Sequence, residues 1–503
     1  MRTSPTVPHL LGVLLLVSFF NVSASAPRSS EPLDGPSPEG LDAAEAQAWG
    51  PTPSNPLSCV QRVDVAGLDQ VVDLSWAPGG SKLALTRVVT SPSARTITGY
   101  EEDPFLAVLD LATGKAEDLG AGARARWSAS GDLLAFWRGG RLYIHRGTER
   151  VTVIDSTVPD VRWVGEELVY FFQDQIRGWS ERGDRLISTV GWDHMPRFPK
   201  DDTYFSGDGA LFIVTRYSMD GSAYRYIGQT ATGHVAPLET AGTTYTEWAP
   251  TGQTLLVRSD HDVELRGPGG VRTVAPVSAF PGAVHGWTPD GKGLLMGGVT
   301  ATVPSGAAFD RFAVWEGGAV VATATLPNLI GGRAFSPDGR YFAGIARAGV
   351  HETALEIYRC GTRLVRAAER ADPVSRAREA RIAGDGRRLV RPVSGFISQF
   401  LQGSHTGVDI AAPFGAIIAA ADEGEVTHVG WVPVGGRAVC VTHSAGLESC
   451  YYHTSLSYVT VGQRVARGQP IAAIGMSGLT TGAHVHWEVK QDGRIVDPLE
   501  VRR

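Results

Sequence analysis

The stretch FSPDGRYFAGI at residues 335–345 decides the fold of most of this chain, because related copies recur upstream of it. Each copy joins an aromatic residue, a turn of the Pro-Asp-Gly kind and an apolar strand. The turn has a physical basis, since Pro presets the first φ, Asp bonds its own backbone and Gly takes a positive φ. The other copies are WAPGGSKLALT (76–86), WSASGDLLAFW (127–137), WVGEELVYFF (163–172), FSGDGALFIV (205–214), WAPTGQTLLV (248–257) and WTPDGKGLLM (287–296).

The spacing of these copies indicates a β-propeller. Their aromatic residues follow one another at intervals of 36 to 51 residues. A period of about 40–45 residues with several short strands per unit is typical of propeller blades. The third copy is degenerate, so we expect about seven blades over residues 57–360, with six or eight as alternatives. The units resemble those of TolB-type and WD-repeat-like propellers, and we expect each aromatic residue to pack between neighbouring blades.

The four cysteines allow three pairings, one of which suits the predicted fold best. Cys440 and Cys450 flank a strand–turn–strand pattern that would place them opposite each other in a hairpin. Closure of the propeller through its first and last strands would make Cys59 and Cys360 neighbours. We therefore predict these two disulfides, which would persist in an oxidising compartment, with four free thiols as the alternative.

The N-terminal segment predicts export. Residues 1–26 have Arg2, an apolar run at 10–20 and an Ala-x-Ala cleavage pattern at 24–26, as in a signal peptide. The apolar run is too short to cross the ~30 Å hydrocarbon core of a membrane. We expect the mature protein to have no membrane span and to act in the periplasm, in the cell envelope or outside the cell.

Two further segments separate the expected domains. Residues 27–56 are rich in Pro and Ser and predict a disordered spacer. Residues 361–392 carry nine arginines and predict an Arg-rich, solvated linker, with a basic tether for an acidic envelope polymer as the alternative. The net charge of −6 over 503 residues does not indicate a nucleic-acid partner.

The propeller itself shows no pattern typical of catalysis. Its histidines are scattered without ligand spacing, and we expect them to be structural or on the surface. The polar stretch at 191–202 is a candidate contact for a protein partner. The histidines concerned are His145, His194, His234, His261, His285 and His351.

Residues 393–503 predict a small antiparallel β domain, because short strands alternate with glycine-rich turns. His484 and His486 are two residues apart, which on a strand places both on one face. His405 and Asp409 are four apart, and we expect an extended chain that again puts them on one face. Two histidines and one carboxylate with an open fourth position are typical of catalytic zinc. No HExxH motif supplies a glutamate base, so other histidines must move the proton.

From Phe396 to Pro498 the domain resembles the lysostaphin-like (LytM-type) zinc metallopeptidases, which cleave peptide bridges in bacterial peptidoglycan. The resemblance rests on three elements in the same order, namely SHTGVD at 404–409, YYHTSLS at 451–457 and GAHVHWEV at 482–489. It implies one Zn²⁺ ion, a zinc-binding group and a catalytic pair. The zinc ligands would be His405, Asp409 and His486, and the catalytic pair would be His453 and His484. His443 corresponds to a histidine that is not a ligand in the family, His428 matches no family element, and we expect both to be structural.

These observations favour an exported zinc endopeptidase that acts on the peptide stems and bridges of peptidoglycan. The propeller would then be a binding or positioning module. The alternative is a catalytically silent regulator that binds the cell wall and acts through another hydrolase. A peptidase for a soluble glycine-rich protein is a third reading. All five chemical positions are filled in this chain, which favours an enzyme.

Overall fold

The computed structural model describes most of the chain from residue 58 onward, in several ranges. The described ranges are 58–63, 68–92, 100–139, 141–147, 149–154, 161–191, 201–217, 223–238, 243–259, 262–268, 270–276, 283–288, 291–298, 311–316, 319–325, 329–349, 351–361, 389–480 and 482–501. The predicted signal peptide, the spacer, linker residues 362–388 and residues 192–200 of the polar stretch, with His194 and His261, lie outside them. Within the described ranges every regular element is a β-strand, and no helix there could cross a bilayer.

Seven four-stranded antiparallel sheets follow one another through the first part of the chain, which confirms the predicted propeller and its seven blades. Six blades use four consecutive strands each. The first two blades comprise β2 (Val71–Trp76), β3 (Lys82–Pro92), β4 (Tyr100–Asp110), β5 (Lys115–Ala121), β6 (Ala123–Trp127), β7 (Leu133–Arg138), β8 (Arg141–Arg146) and β9 (Glu149–Ile154). The third and fourth comprise β10 (Val161–Val164), β11 (Glu167–Phe172), β12 (Gln175–Ser180), β13 (Gly183–Thr189), β14 (Asp201–Phe205), β15 (Leu211–Tyr217), β16 (Ala223–Gln229) and β17 (Val235–Pro237). The fifth and sixth comprise β18 (Thr243–Trp248), β19 (Leu255–Ser259), β20 (Asp262–Gly267), β21 (Gly270–Pro276), β22 (Ala283–Trp287), β23 (Gly293–Gly298), β24 (Arg311–Glu316) and β25 (Ala319–Thr325).

The seventh blade closes the ring with strands from both ends of the propeller. It contains β26 (Leu329–Phe335), β27 (Tyr341–Arg347) and β28 (Thr353–Gly361), and its fourth strand is β1 (Ser58–Val63). The β1–β28 register sets Cys59 opposite Cys360. Cys360 is disulfide-bonded, and no cysteine in the described ranges is free. Because β1 completes a blade made from the far end of the domain, the first and last strands hold the ring together.

The aromatic residue of each sequence copy lies at or next to the end of the first strand of its blade, and several of these residues link their blade to the preceding one. Indole groups at four of these positions donate hydrogen bonds to backbone carbonyls of the neighbouring first strand. These bonds run from Trp76 Nε1 to Ala334 O (3.1 Å), from Trp127 Nε1 to Ser75 O (3.1 Å), from Trp163 Nε1 to Arg126 O (2.9 Å) and from Trp248 Nε1 to Tyr204 O (3.0 Å). The repeated Trp therefore fixes the angle between blades as well as filling space.

The Pro-Asp-Gly turn behaves as its chemistry predicts. In the seventh blade Ser336 Oγ donates to Asp338 Oδ1 (2.6 Å), and the Tyr341 backbone N–H donates to Ser336 Oγ (2.9 Å). Gly339 has a φ of +69°, a conformation that costs glycine little. The turn thus brings β26 and β27 into register without burying an unpaired polar group.

The C-terminal domain consists of two sheets that enclose one core. The large sheet has the order β29-β30-β38-β34-β33-β32-β36, with β39 also paired to β38, and the small sheet has the order β31-β37-β35. The strands are β29 (Phe396–Gln399), β30 (Val408–Ala411), β31 (Ile417–Ala419), β32 (Gly424–Val432), β33 (Gly436–Thr442), β34 (Leu447–Tyr452), β35 (Thr454–Ser457), β36 (Arg464–Val465), β37 (Pro470–Ile474), β38 (His484–Gln491) and β39 (Arg494–Val496). Leu389 is buried in this core although it belongs to the segment expected to be linker.

The propeller contacts the C-terminal domain through its small sheet and its first residues. The Tyr204 ring lies 5.4 Å from that of Phe414, and the Arg258 guanidinium lies 5.5 Å from the Tyr458 ring. Phe414 comes just before β31 and Tyr458 just after β35. These contacts do not involve the face of the large sheet that points away from the small sheet.

A buried ion pair completes the junction. Arg391 lies 2.9 Å from Glu102 of β4, and their side chains are 7% and 8% exposed. The Ile397 backbone N–H donates to the same carboxylate (2.7 Å), and Arg347 donates to the Arg391 carbonyl (3.0 Å). Arg391 was expected on a solvated face. It is buried instead, because the chain enters the C-terminal domain directly against the propeller.

Candidate metal centre and active site

The strand β38 separates core residues from site residues by simple alternation. Val485, Trp487 and Val489 are fully buried between the two sheets. His484 and His486 therefore point from the opposite face, as their spacing of two predicts. The register pairs Asp409 of β30 with His486 and Tyr452 of β34 with His486. Neighbouring strands thus bring their own polar residues to the same place on this face, which we call the cleft face.

His405 reaches the cleft face directly after the turn at residues 403–404, before the regular strand begins. Strand β30 begins only at Val408, and the His405 backbone N–H donates to Gln402 O (2.9 Å) in the preceding turn. Gly407 permits this path, because a Cβ there would lie 2.5 Å from Trp487 O. Residues 405–407 therefore lie outside the regular strand, and His405 and Asp409 do meet as expected.

Three potential ligand atoms converge on one point. His405 Nε2 lies 3.1 Å from Asp409 Oδ1, His486 Nδ1 lies 2.8 Å from the same oxygen, and the two nitrogens are 3.1 Å apart. Zinc bonds of about 2.0–2.2 Å in a tetrahedral site would separate ligand atoms by about 3.4 Å. The donor set is two imidazoles and one carboxylate, which suits zinc. Among the described residues, these three form the one group of histidine, cysteine or carboxylate side chains close enough to hold a metal ion.

The outer ring nitrogens of both histidines have partners that fix which nitrogen faces the site. His405 Nδ1 lies 2.9 Å from the Phe400 carbonyl, which accepts its proton and leaves Nε2 as the ligand atom. His486 Nε2 lies 3.4 Å from Thr406 Oγ1, which leaves Nδ1 as the ligand atom. Such outer contacts orient metal ligands and set their tautomers. The residues present therefore fit a zinc ion.

The expected catalytic histidines lie beside this group. The imidazole rings of His453 and His484 have their centroids 4.8 Å apart, and His484 Nε2 lies 3.6 Å from Asp409 Oδ1. His453 Nδ1 donates to Ser477 O (2.8 Å), and His484 Nδ1 donates to Gly482 O (2.8 Å). With Nδ1 protonated and held in both rings, each Nε2 keeps a lone pair that can accept a proton.

Burial keeps both of these histidines neutral. Loss of hydration lowers the pKa of His453 to about 4, and the nearby His484 adds to this effect. Burial also lowers the pKa of His484, although the charge of Asp409 opposes it. Burial alone would raise the pKa of Asp409, but its hydrogen bond with His486 and the neighbouring histidines outweigh this and leave the pKa below its usual value. A carboxylate beside neutral imidazoles is the protonation pattern that metal binding requires.

Sequence reasoning missed a second polar group on the cleft face. Glu488 accepts hydrogen bonds from Thr406 and from Lys490, whose Nζ is 3.0 Å away, and Tyr452 OH lies 3.5 Å from the same carboxylate. These contacts outweigh burial and lower the pKa of Glu488. Thr406 thereby connects Glu488 to the outer nitrogen of His486. The signal was present in the sequence, because residues 484, 486, 488 and 490 share one face of β38.

The two histidines expected to be structural lie away from the ligand group. His443 Nδ1 donates to Glu423 O (2.8 Å), and its Nε2 lies 2.7 Å from Ser449 Oγ, so the ring is held within the fold. His428 is half-buried on β32, and its Nε2 makes no hydrogen bond.

A disulfide joins Cys440 and Cys450 across β33 and β34, where their backbones are directly paired. Cys450 is also the register partner of Glu488 on β38. The disulfide therefore joins β34, the strand that leads to His453, to β33. Both cysteines lie on the cleft face of the sheet.

Comparison with known proteins places the site in a family. Residues 403–498 match the sequence profile of Peptidase family M23. The chain is 34% identical over 142 residues to the peptidoglycan DD-endopeptidase ShyB of Vibrio cholerae, covering 28% of this chain and 32% of that protein. It is 37% identical over 97 residues to the DD-carboxypeptidase/endopeptidase Mpg of Neisseria meningitidis, covering 19% and 22%. It is 33% identical over 99 residues to the murein hydrolase activator NlpD of Salmonella dublin, covering 20% and 26%.

The C-terminal domain is thus a Peptidase M23 domain of the LytM type. The chain spans between about a fifth and a third of the length of these curated relatives. The propeller is established by its own strand topology.

Proposed function

We propose that this protein is an exported zinc-dependent endopeptidase that hydrolyses peptide cross-links of bacterial peptidoglycan. The observation that carries the proposal is the convergence of His405 Nε2, Asp409 Oδ1 and His486 Nδ1 within 3.1 Å of one another. The relatives ShyB and Mpg are named as endopeptidases, which supports the reaction class. The predicted signal peptide supports export to the compartment that holds the substrate.

The chemistry divides between the metal and the two catalytic histidines. Zinc, when bound, polarises a scissile carbonyl and lowers the pKa of water toward ~7. His453 and His484 are neutral and offer Nε2 to the open side of the site, so one of them can accept the proton of the attacking water. After this transfer the protonated ring donates a hydrogen bond to the developing oxyanion and then gives its proton to the leaving amine.

The propeller serves in this proposal as a positioning module. It contacts the peptidase domain next to the small sheet and through Arg391, and none of these contacts among the described residues involves the zinc-binding or catalytic side chains. A peptidase domain that is fixed to the propeller in this way can be presented to a large, insoluble substrate in one orientation.

A catalytically silent regulator is the second candidate, because the relative NlpD is named as a hydrolase activator. The two candidates differ in whether the site turns over. All three zinc-ligand positions and both catalytic positions carry the expected residue. Hydrogen bonds also fix the tautomers of His453 and His484 for proton transfer, and both features favour the enzyme.

The test incubates the mature protein with purified peptidoglycan, with and without a chelator. The enzyme is expected to release new amino termini in a chelator-sensitive manner. A His405→Ala variant should lose this release together with bound zinc, and a His428→Ala variant is the matched control that should keep both. One bound zinc per chain without any release would favour the regulator.

A further inference from the structure

Two loops meet at the edge of the cleft face. The turn between β32 and β33 contains Val434, and the loop before β38 contains Leu479, whose backbone N–H donates to Val434 O (2.7 Å). Glycines allow the close approach, because a Cβ on Gly436 would lie 2.3 Å from the Ser477 backbone and one on Gly478 would lie 2.3 Å from Val434 O. The two loops therefore form one rigid unit.

The same two loops hold both catalytic histidines. The His453 backbone N–H donates to Gly435 O (2.9 Å), and His453 Nδ1 donates to Ser477 O (2.8 Å). His484 Nδ1 lies 2.8 Å from Gly482 O and 3.0 Å from Thr480 Oγ1. Val434 and Leu479 are thus within three residues of the groups that orient the proton-transferring rings.

Their side chains are unusually exposed for apolar residues. Leu479 is 70% exposed and Val434 is 67% exposed, the two highest values among the large apolar side chains in the described ranges. A single exposed apolar residue is ordinary, but here two lie together beside the catalytic pair.

Val434 also has a backbone conformation that its side chain disfavours. Its φ is +66°, and a β-branched residue in this region is a steric outlier. Such strain persists where the surrounding structure holds it, and it clusters at active sites. Glycine would satisfy this turn without strain, and the exposed isopropyl group buries little surface in the folded monomer. A contact with a bound molecule would give this side chain a role.

We propose that Val434 and Leu479 form an apolar rim of the substrate cleft, which contacts an aliphatic side chain of the substrate peptide next to the scissile bond. This rests on the proposed function. The occupant follows from the position of the pair beside the catalytic histidines and from its chemistry. Apolar surface buried on binding favours an aliphatic neighbour over glycine or a charged residue.

The experiment compares Val434→Gly with Leu479→Ala in the full-length mature protein, with Val461→Ala as the matched control. Val461 is 61% exposed in the turn between β35 and β36 of the same domain. Sequencing the fragments that wild-type protein releases from purified peptidoglycan identifies the residues flanking the cut. Two synthetic peptides spanning it are then used, one with the native aliphatic residue and one with glycine in its place.

Val434→Gly is expected to keep or raise Tm, because glycine relieves the positive φ. Its kcat/KM for the aliphatic peptide should fall by about tenfold, mainly through KM, and by less for the glycine peptide. Leu479→Ala should show the same selectivity, and Val461→Ala should match wild type in both assays. A role in folding alone predicts the opposite, a fall in Tm without a change in substrate preference.

The proposal is overturned if Val434→Gly and Leu479→Ala cleave both peptides as wild type does. It is also overturned if either substitution changes the oligomeric state instead, since the rim would then be a contact between proteins. A wild-type protein that shows no chelator-sensitive cleavage overturns the proposed function itself. Cleavage by wild type with unchanged variants overturns only the rim.

Discussion

The propeller and the peptidase domain use polar side chains in opposite ways. In the propeller the same contact recurs from blade to blade, as when Trp127 and Trp163 each donate an indole hydrogen bond to the preceding blade. In the peptidase domain, polar side chains from three separate segments converge on Asp409 and the rings around it. The repeated contacts build a scaffold in which the blades are alike. The converging side chains make one site chemically distinct, because neighbouring polar groups perturb one another's electrostatic environment.

The two regions meet at a contact that belongs to neither pattern. Glu102 and Arg391 form a buried ion pair between the first blade and the entry to the peptidase domain. Glu102 also accepts the Ile397 backbone N–H. This contact does not recur in the other blades within the described residues, so it helps to fix the orientation of the peptidase domain on the propeller.

The largest expected effect tests whether activity depends on the side chains that converge in the peptidase domain. Replacing His453 by Ala should lower kcat by about 10²–10⁴-fold, because a positioned general acid–base is lost, while bound zinc is retained. His145→Ala, at a half-buried position in the second blade, should leave kcat unchanged. Peptidoglycan release rates and metal analysis of both variants are the measurements. Equal losses of activity in the two variants would contradict the distinction between the regions.

An intermediate effect is expected at the junction. Glu102→Gln removes the charge that faces the buried Arg391, and an uncompensated buried charge costs about 3–5 kcal/mol of unfolding free energy. Urea unfolding of the full chain gives this value. The control is Glu117→Gln on the exposed outer strand of the same blade, for which we expect little change. Similar unfolding curves for the two variants would show that the ion pair does not hold the domains together.

The smallest expected effect is a pH dependence of the unfolding free energy that arises from His453 in the cleft. The folded protein lowers the pKa of His453 from 6.5 to about 4, so the unfolded chain binds more protons between these values. The stabilisation from keeping His453 neutral is complete above pH 6.5 and is lost as the pH falls toward 4. For the zinc-free protein this amounts to about 2 kcal/mol between pH 7.5 and pH 5.

Urea unfolding at both pH values measures this loss, and His453→Gln should reduce it. An NMR titration of the His453 ring with a midpoint near pH 6.5 in the folded protein would contradict the prediction. His145→Ala provides the propeller control, whose pH dependence should match that of wild type.

Much of the fold could be predicted because it depends on short-range patterns in the sequence. The turn at 336–339 works through contacts within five residues, so its copies could be counted and the seven blades expected. The alternation along β38 likewise placed His484 and His486 on one face. The closure through β1 and β28 followed from the ring itself, and it brought Cys59 opposite Cys360.

The path of His405 shows the limit of local reasoning. The spacing placed His405 and Asp409 on one face, but the hydrogen bond of His405 to Gln402 and the close approach of Gly407 to Trp487 were not predicted. Trp487 is 80 residues away from Gly407 in the chain. A pattern within five residues has no access to such a contact.

The sequence by itself therefore determined the strand repeats, the alternation of faces and the identity of the candidate zinc ligands. Each depends on neighbours in the chain and on the chemistry of single side chains. Only the tertiary structure decided which nitrogen of each histidine faces the site, that Glu102 pairs with Arg391 across 289 residues, and that Val434 meets Leu479. These depend on distances between segments that only the complete packing of both sheets and all blades brings together.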